Sequence, residues 1–64
     1  MRDASRIPIM LYELGKAWEK YPDLRLGQLI MNAASIEGYD DHRVFMIEDG
    51  LLLSGIHSLM ERMR

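Results

Sequence analysis

The chain has 64 residues, no cysteine, 48% hydrophobic residues and a formal net charge of −2. The length allows one domain, the absence of cysteine excludes disulfides and thiolate metal sites, and the apolar content excludes a disordered chain. The nearly balanced charge disfavours a general nucleic-acid binder, which would carry a basic patch or stripe.

The first predicted element is an amphipathic helix over residues 6–20. Asp3 and Ser5 have short side-chain oxygens that can cap a helix, and Pro8 is tolerated in the first helical turn. Pro22 ends the helix, because the residue before a proline is pushed out of the helical region. Steps of three and four place the apolar residues on one face: Ile7, Met10, Leu11, Leu14, Trp18 and Tyr21.

A second helix is predicted over residues 24–35. Asp23 precedes it as a potential N-cap, and Gly27 lies inside it, where a glycine can allow another helix to approach closely. Its apolar residues again recur at helical spacing: Leu26, Leu29, Ile30 and Ala33.

Residues 36–46 interrupt the helical pattern and predict a long loop. Gly38, Asp40 and Asp41 are typical turn residues. The apolar run 44–47 is β-prone, and a lone short strand is not stable by itself. We therefore expect this run either to pair with another chain or to pack irregularly over the core.

A third helix is predicted over residues 48–62. Glu48 and Asp49 place negative charge at its start, and Arg62 and Arg64 place positive charge at its end, as the helix dipole favours. Its apolar residues cover an arc of about 200°, roughly twice what one core face needs. Either this helix lies between two others, or part of it contacts another molecule.

The surplus apolar face of the third helix predicts an interaction surface. A contiguous exposed apolar patch is rare on monomers, and a two-fold homodimer is the commonest way to cover one. The rival interpretation is that the run 44–47 folds back over this face. The candidate interface residues are Leu51, Leu53, Met60, Met63 and Phe45.

No residue pattern predicts catalysis, a metal or a cofactor. The run Asp40-Asp41-His42 lacks the alternating ligands of a calcium loop, and we interpret it as a solvated acidic loop. We interpret His57 as a surface histidine in a polar stripe with Ser54, since neither a nucleophile elbow nor an oxyanion site is apparent. The second helix carries a single base, Arg25, which is too few for a recognition helix.

The stretch 18–32 reads Trp-Glu-Lys-Tyr-Pro-Asp-Leu-Arg-Leu-Gly-Gln-Leu-Ile-Met-Asn, and residues 45–49 read Phe-Met-Ile-Glu-Asp. With an Arg-Asp start and a Leu-rich last helix, this order resembles a family of small bacterial and phage proteins. That family shares the Trp…Tyr-Pro-Asp-Leu-Arg-Leu-Gly-Gln-Leu core and a Phe-x-Ile-Glu-Asp segment. The resemblance implies a phage or prophage setting. Because the family has no known activity, the resemblance implies no catalytic residues.

These patterns predict an all-α fold, a compact three-helix domain over residues 1–64 with a long loop before the last helix. The predicted function is a non-enzymatic protein–protein interaction module that associates with itself, and one concrete form of it is a phage or prophage protein acting on a host protein. The alternative is a nucleic-acid-associated accessory protein. We expect a cytoplasmic protein without a membrane span, cofactor or small-molecule substrate. The predicted core comprises Trp18, Leu14, Leu29, Ile30, Leu52 and Ile56.

Overall fold

Residues 3–62, the part of the chain that the computed structural model describes, contain three α-helices and one short 3₁₀ segment. The helices are α1 (Arg6–Lys20), α2 (Leu26–Ile36) and α3 (Asp49–Arg62), and the 3₁₀ segment spans Asp41–Met46. The described residues contain no strand, which confirms the all-α prediction. A long loop was predicted before α3, and the 3₁₀ segment forms part of this region.

Helix α3 packs against both α1 and α2. It runs in the same direction as α1, because Arg6 pairs with Asp49 at the start of both helices and Tyr21 contacts Leu59 near their ends. Of the two interpretations of the wide apolar arc of α3, the position between two other helices is therefore confirmed.

The core lies where α3 meets α1 and α2. Leu29 and Ile56 are its largest fully buried side chains, as predicted, and the predicted core residues Leu14 and Leu52 pack against it while partly buried. Burial of an aliphatic side chain contributes roughly 1.5–3 kcal/mol, so this small cluster supplies much of the fold's stability. The buried cluster comprises Ala17, Tyr21, Leu29, Ala33, Ile56 and Leu59.

Two helices approach each other closely at Gly55 of α3, and not at Gly27, where the sequence suggested a close approach. A Cβ atom built on Gly55 would overlap the backbone carbonyl of Ala33 in α2, with the carbonyl carbon only 2.8 Å away. A Cβ on Gly27 would meet no atom within 4 Å. The α2–α3 contact therefore requires the absence of a side chain at position 55.

The prediction that Trp18 belongs to the core is wrong. Trp18 is 38% exposed, and its indole N–H donates a hydrogen bond of 2.8 Å to the carbonyl oxygen of Leu24. A partly shielded indole N–H needs a hydrogen-bond partner, and here the partner lies in the turn after α1. The ring is therefore drawn to the turn, and Ala17 and Tyr21 occupy the core positions of this helix end.

Helix α2 begins two residues later than predicted, and Asp23 is not its N-cap. Arg25 stands at the N-cap position, and the side-chain oxygen of Gln28 accepts a hydrogen bond of 2.8 Å from its backbone N–H. The Leu24 N–H donates to the carbonyl of Tyr21, so residues before Arg25 belong to the turn. At α1, Ser5 takes the N-cap position without a side-chain bond, while Asp3 accepts from the Ser5 N–H.

A glycine turn ends α2 and leads into the 3₁₀ segment. Gly38 has a φ of 87°. The backbone N–H groups of Tyr39 and Gly38 donate to the carbonyls of Ala34 and Ser35, both at 3.0 Å. This is the Schellman arrangement, in which a left-handed residue satisfies the last helical carbonyls. The turn directs the following segment back onto α2, which it contacts.

The apolar run 44–47 forms no strand, and its side chains divide between two sides. Val44 and Ile47 are partly buried, whereas Phe45 and Met46 point outward. Side chains three residues apart share a face in a 3₁₀ helix, so Val44 and Ile47 can both turn inward. The two residues between them then turn outward. The run therefore partly buries two of its side chains and exposes two large apolar ones.

The C-terminal end of α3 is tied to the end of α1. The Tyr21 hydroxyl donates to the Leu59 carbonyl at 2.6 Å, and the Lys20 ammonium donates to the Met60 carbonyl at 2.9 Å. Carbonyls in the last turn of a helix can lack partners within the helix, and these two side chains donate to carbonyls of that turn.

We expect Tyr21→Phe to lower the free energy of unfolding by about 1–2 kcal/mol, because it removes a buried donor from the Leu59 carbonyl. Urea denaturation followed by circular dichroism measures the change. Tyr12→Phe is the matched control, since Tyr12 is exposed on α1. Equal effects of the two substitutions would contradict a stabilising role for the Tyr21 hydroxyl.

Candidate functional site

An apolar groove lies between α1 and α2, and α3 forms its floor. Its volume is about 270 Å³, and seven of its nine lining residues are apolar. Leu52 and Ile56 of α3 form the floor, and Ile30 of α2 lies on one side. Helix α1 contributes the other wall with Ile7, Met10, Leu11 and Leu14.

The rim of the groove is exposed. Ile7 and Leu11 are 47% and 62% exposed, respectively. Helix α1 has more apolar surface on this side than α3 can cover, because α3 divides its own apolar residues between α1 and α2. The groove is therefore the uncovered part of the α1 apolar face.

An ion pair closes one end of the groove. The Arg6 guanidinium lies 2.5 Å from the Asp49 carboxylate, and both side chains are about two-fifths exposed. Arg6 also donates to the backbone carbonyl of Asp3 at 2.8 Å. These contacts join the N-terminal ends of α1 and α3, and they place one fixed cation and one fixed anion beside the apolar surface.

Phe45 and Met46 form a second exposed apolar feature, which we call the knob. Phe45 is 90% exposed, more than any other large hydrophobic residue among positions 3–62. Phe45 is four positions before Asp49, so its Cα atom lies within about 14 Å of the Asp49 Cα atom at the end of the groove. The knob and the groove are thus close neighbours on the molecule.

Four of the five predicted interface residues lie within the described part of the chain, and these four differ in exposure. Phe45 and Leu51 are exposed, whereas Leu53 and Met60 are partly buried, and Met60 packs against the core. Met63 lies outside the described residues. Leu51 is one turn before Gly55 and so faces the side of α3 that carries α2. Their role in an interface stays a prediction.

The acidic loop does not bring metal ligands together. Asp40 forms an ion pair with Arg43, which holds the pKa of the Asp40 carboxyl below its ordinary value through a hydrogen bond and charge attraction. His42 and Asp41 lie 4.0 Å apart and are almost fully exposed. Within residues 3–62, no three histidine, aspartate or glutamate side chains are grouped as a metal site would require.

We expect calcium, magnesium and zinc to leave the melting temperature unchanged. A metal that binds the native state specifically must stabilise it by mass action, so a thermal melt with and without each ion reports binding directly. A saturable rise in melting temperature, abolished by substitution of Asp40, Asp41 and His42, would contradict this expectation.

His57 contacts Glu13, a partner that the sequence did not indicate. The His57 Nε2 atom lies 2.9 Å from a carboxylate oxygen of Glu13, and half of the His57 side chain is exposed. The two residues are 44 positions apart, so no local spacing could have revealed the pair. The contact links the middle of α1 to α3, beside an open surface depression formed with Lys20, Met60 and Glu61.

No protein-family model matches the chain, and the searches of curated proteins and of solved structures found no significant match. Within the described part of the chain, no helix combines the length and the apolar character needed to cross a membrane. The inferences about function therefore depend on the groove, the knob and the distribution of charge.

Proposed function

We propose that this protein is a non-enzymatic protein-binding module whose binding surface is the apolar groove between α1 and α2, and that it associates with itself. The observation that carries the proposal is a groove with an apolar floor and an exposed apolar rim at Ile7 and Leu11. A large contiguous apolar surface bordered by polar residues is typical of protein interaction sites.

A protein segment suits this groove better than a small molecule. Small-molecule sites enclose most of their ligand and contain a few placed polar groups. This groove has Arg6 and Asp49 as its polar residues, and they are already paired with each other at one end. An apolar side chain from another protein needs no polar partner inside the groove, and the ion pair at the end can fix its orientation.

Among possible protein partners, a second copy of this chain requires the fewest features beyond those already described. The chain is small and its core is limited to a few large side chains, and domains of this size are commonly stabilised by oligomerisation. Each copy also exposes Phe45, a residue of the predicted interface. The low net charge of −2 produces little repulsion between copies.

Light scattering at micromolar concentrations tests this proposal. We expect a mass above the 7.5 kDa of one chain, rising with concentration. Leu11→Glu places a charge on the groove rim and should return the protein to the monomer mass, whereas Lys16→Glu on the opposite face of α1 should not. A monomer mass for the unsubstituted protein at every concentration would contradict self-association.

A further inference from the structure

We infer that the occupant of the groove is the knob of a second copy of this chain, so that two copies exchange Phe45 side chains about a two-fold axis. This inference rests on the proposed function and specifies the partner and the contact. Its support comes from the geometry of the knob, the size of the groove and the area that a stable pair requires.

The knob is held away from its own chain by the structure of the 3₁₀ segment. Val44 and Ile47 occupy the inward positions, so Phe45 and Met46 cannot turn inward without displacing them. Asp41 at the start of the segment has a φ of 56°, and Gly38 before it also has a positive φ. The backbone therefore presents Phe45 outward in a defined position, near the end of the groove.

The groove is large enough to accept this knob. A cavity of about 150 Å³ lined by aliphatic side chains holds a benzene molecule in another protein. The groove here measures about 270 Å³ and is lined mostly by aliphatic side chains, so it has room for a phenyl ring and part of a methionine. Methionine adapts its shape to irregular gaps, which suits Met46 beside Phe45.

The area argument favours reciprocal exchange over a single insertion. A stable interface buries about 800 Å² on each partner, roughly one sixth of the 4810 Å² surface of this chain. One phenylalanine buries about 150–250 Å², so a single insertion supplies no more than about a third of that area. In a two-fold pair, each chain buries its own knob and its own groove, and the same contacts occur twice.

The knob and the groove can be separated by substitution, because both sites are exposed. Phe45→Ser removes the aromatic ring of the knob and does not change the groove. Leu11→Glu places a charge on the groove rim and does not change the knob. We expect each substitution to weaken self-association at least about thirtyfold, the effect of losing an aromatic anchor at a hot spot. Tyr12→Ser, on the opposite side of α1, should leave the dissociation constant unchanged.

Mixing the two variants gives the decisive test. The Leu11→Glu copy still presents Phe45, and the Phe45→Ser copy still has an intact groove, so one of the two insertions is restored only in the mixed pair. Native mass spectrometry resolves the mixed pair from the two like pairs. Circular dichroism first establishes that each variant keeps its helices, as substitutions at such exposed positions should.

A mixed pair that forms more readily than either like pair supports the exchange of Phe45. If Phe45→Ser associates as tightly as the unsubstituted chain while Leu11→Glu does not associate, the inference that the knob occupies the groove is wrong. The groove would then remain the binding surface. If the unsubstituted chain does not associate at all, the proposed self-association and this inference both fail.

Discussion

Gly55→Ala should destabilise the protein by about 3 kcal/mol or more, the upper part of the range for an overpacked core. The added methyl group would overlap the Ala33 carbonyl, which belongs to the α2 backbone and cannot rotate away as a side chain would. Relief requires α2 and α3 to separate, and separation exposes the neighbouring Ile56 and Leu29. Because a domain of this size is only marginally stable, we expect a large loss of melting temperature in a thermal melt.

Gly15→Ala is the matched control for this prediction. Gly15 lies within α1, and a Cβ there would meet no atom within 4 Å. Alanine has a higher helix propensity than glycine, so this substitution should stabilise the fold by up to about 1 kcal/mol. Two glycine-to-alanine substitutions in helices are thus expected to have opposite signs. A neutral or stabilising Gly55→Ala would contradict the close α2–α3 contact.

Leu29→Ala should cost roughly 2–5 kcal/mol, the range for deletion of a buried leucine side chain. Leu29 is fully buried and contacts the cluster in which α2 meets α3, so the surrounding side chains have little freedom to fill the cavity. In a chain of 64 residues, such a loss approaches the whole free energy of unfolding. Denaturant titration followed by circular dichroism measures it.

Leu11→Ala is the control for the core substitution. Leu11 is on the groove rim and largely exposed, so its truncation removes little buried area within one chain. We expect a loss of less than about 1 kcal/mol, measured at concentrations where the chain is a monomer. A loss at Leu29 no greater than the loss at Leu11 would be incompatible with the described core.

The sequence pattern predicted the helices well because amphipathic periodicity reports local structure. It gave the bounds of α1 as 6–20, and it identified Leu29 and Ile56 as buried. The start of α2 was wrong by two residues, since Leu24 lies in a turn where its N–H donates to the Tyr21 carbonyl and its carbonyl accepts from the Trp18 indole. A tertiary contact of this kind leaves no periodic signal in the chain.

Features that depend on residues far apart in the chain could not be predicted. The Gly55–Ala33 approach, the Tyr21–Leu59 hydrogen bond and the Glu13–His57 pair each require the packed arrangement of helices. The sequence pattern assigned a surplus of apolar surface to α3. Because α3 lies between the other helices, the groove rim belongs to α1, at residues Ile7 and Leu11 that the pattern had assigned to a core face.

The most direct test of the central claim is a dilution series of the unsubstituted protein, labelled with nitrogen-15 and followed by amide NMR. Association through the groove predicts concentration-dependent shifts at Ile7, Leu11 and Ile30, together with Phe45, and no shifts around Lys16 on the opposite face of α1. Spectra that do not change between micromolar and millimolar concentration, or changes confined to the Lys16 face, would contradict it.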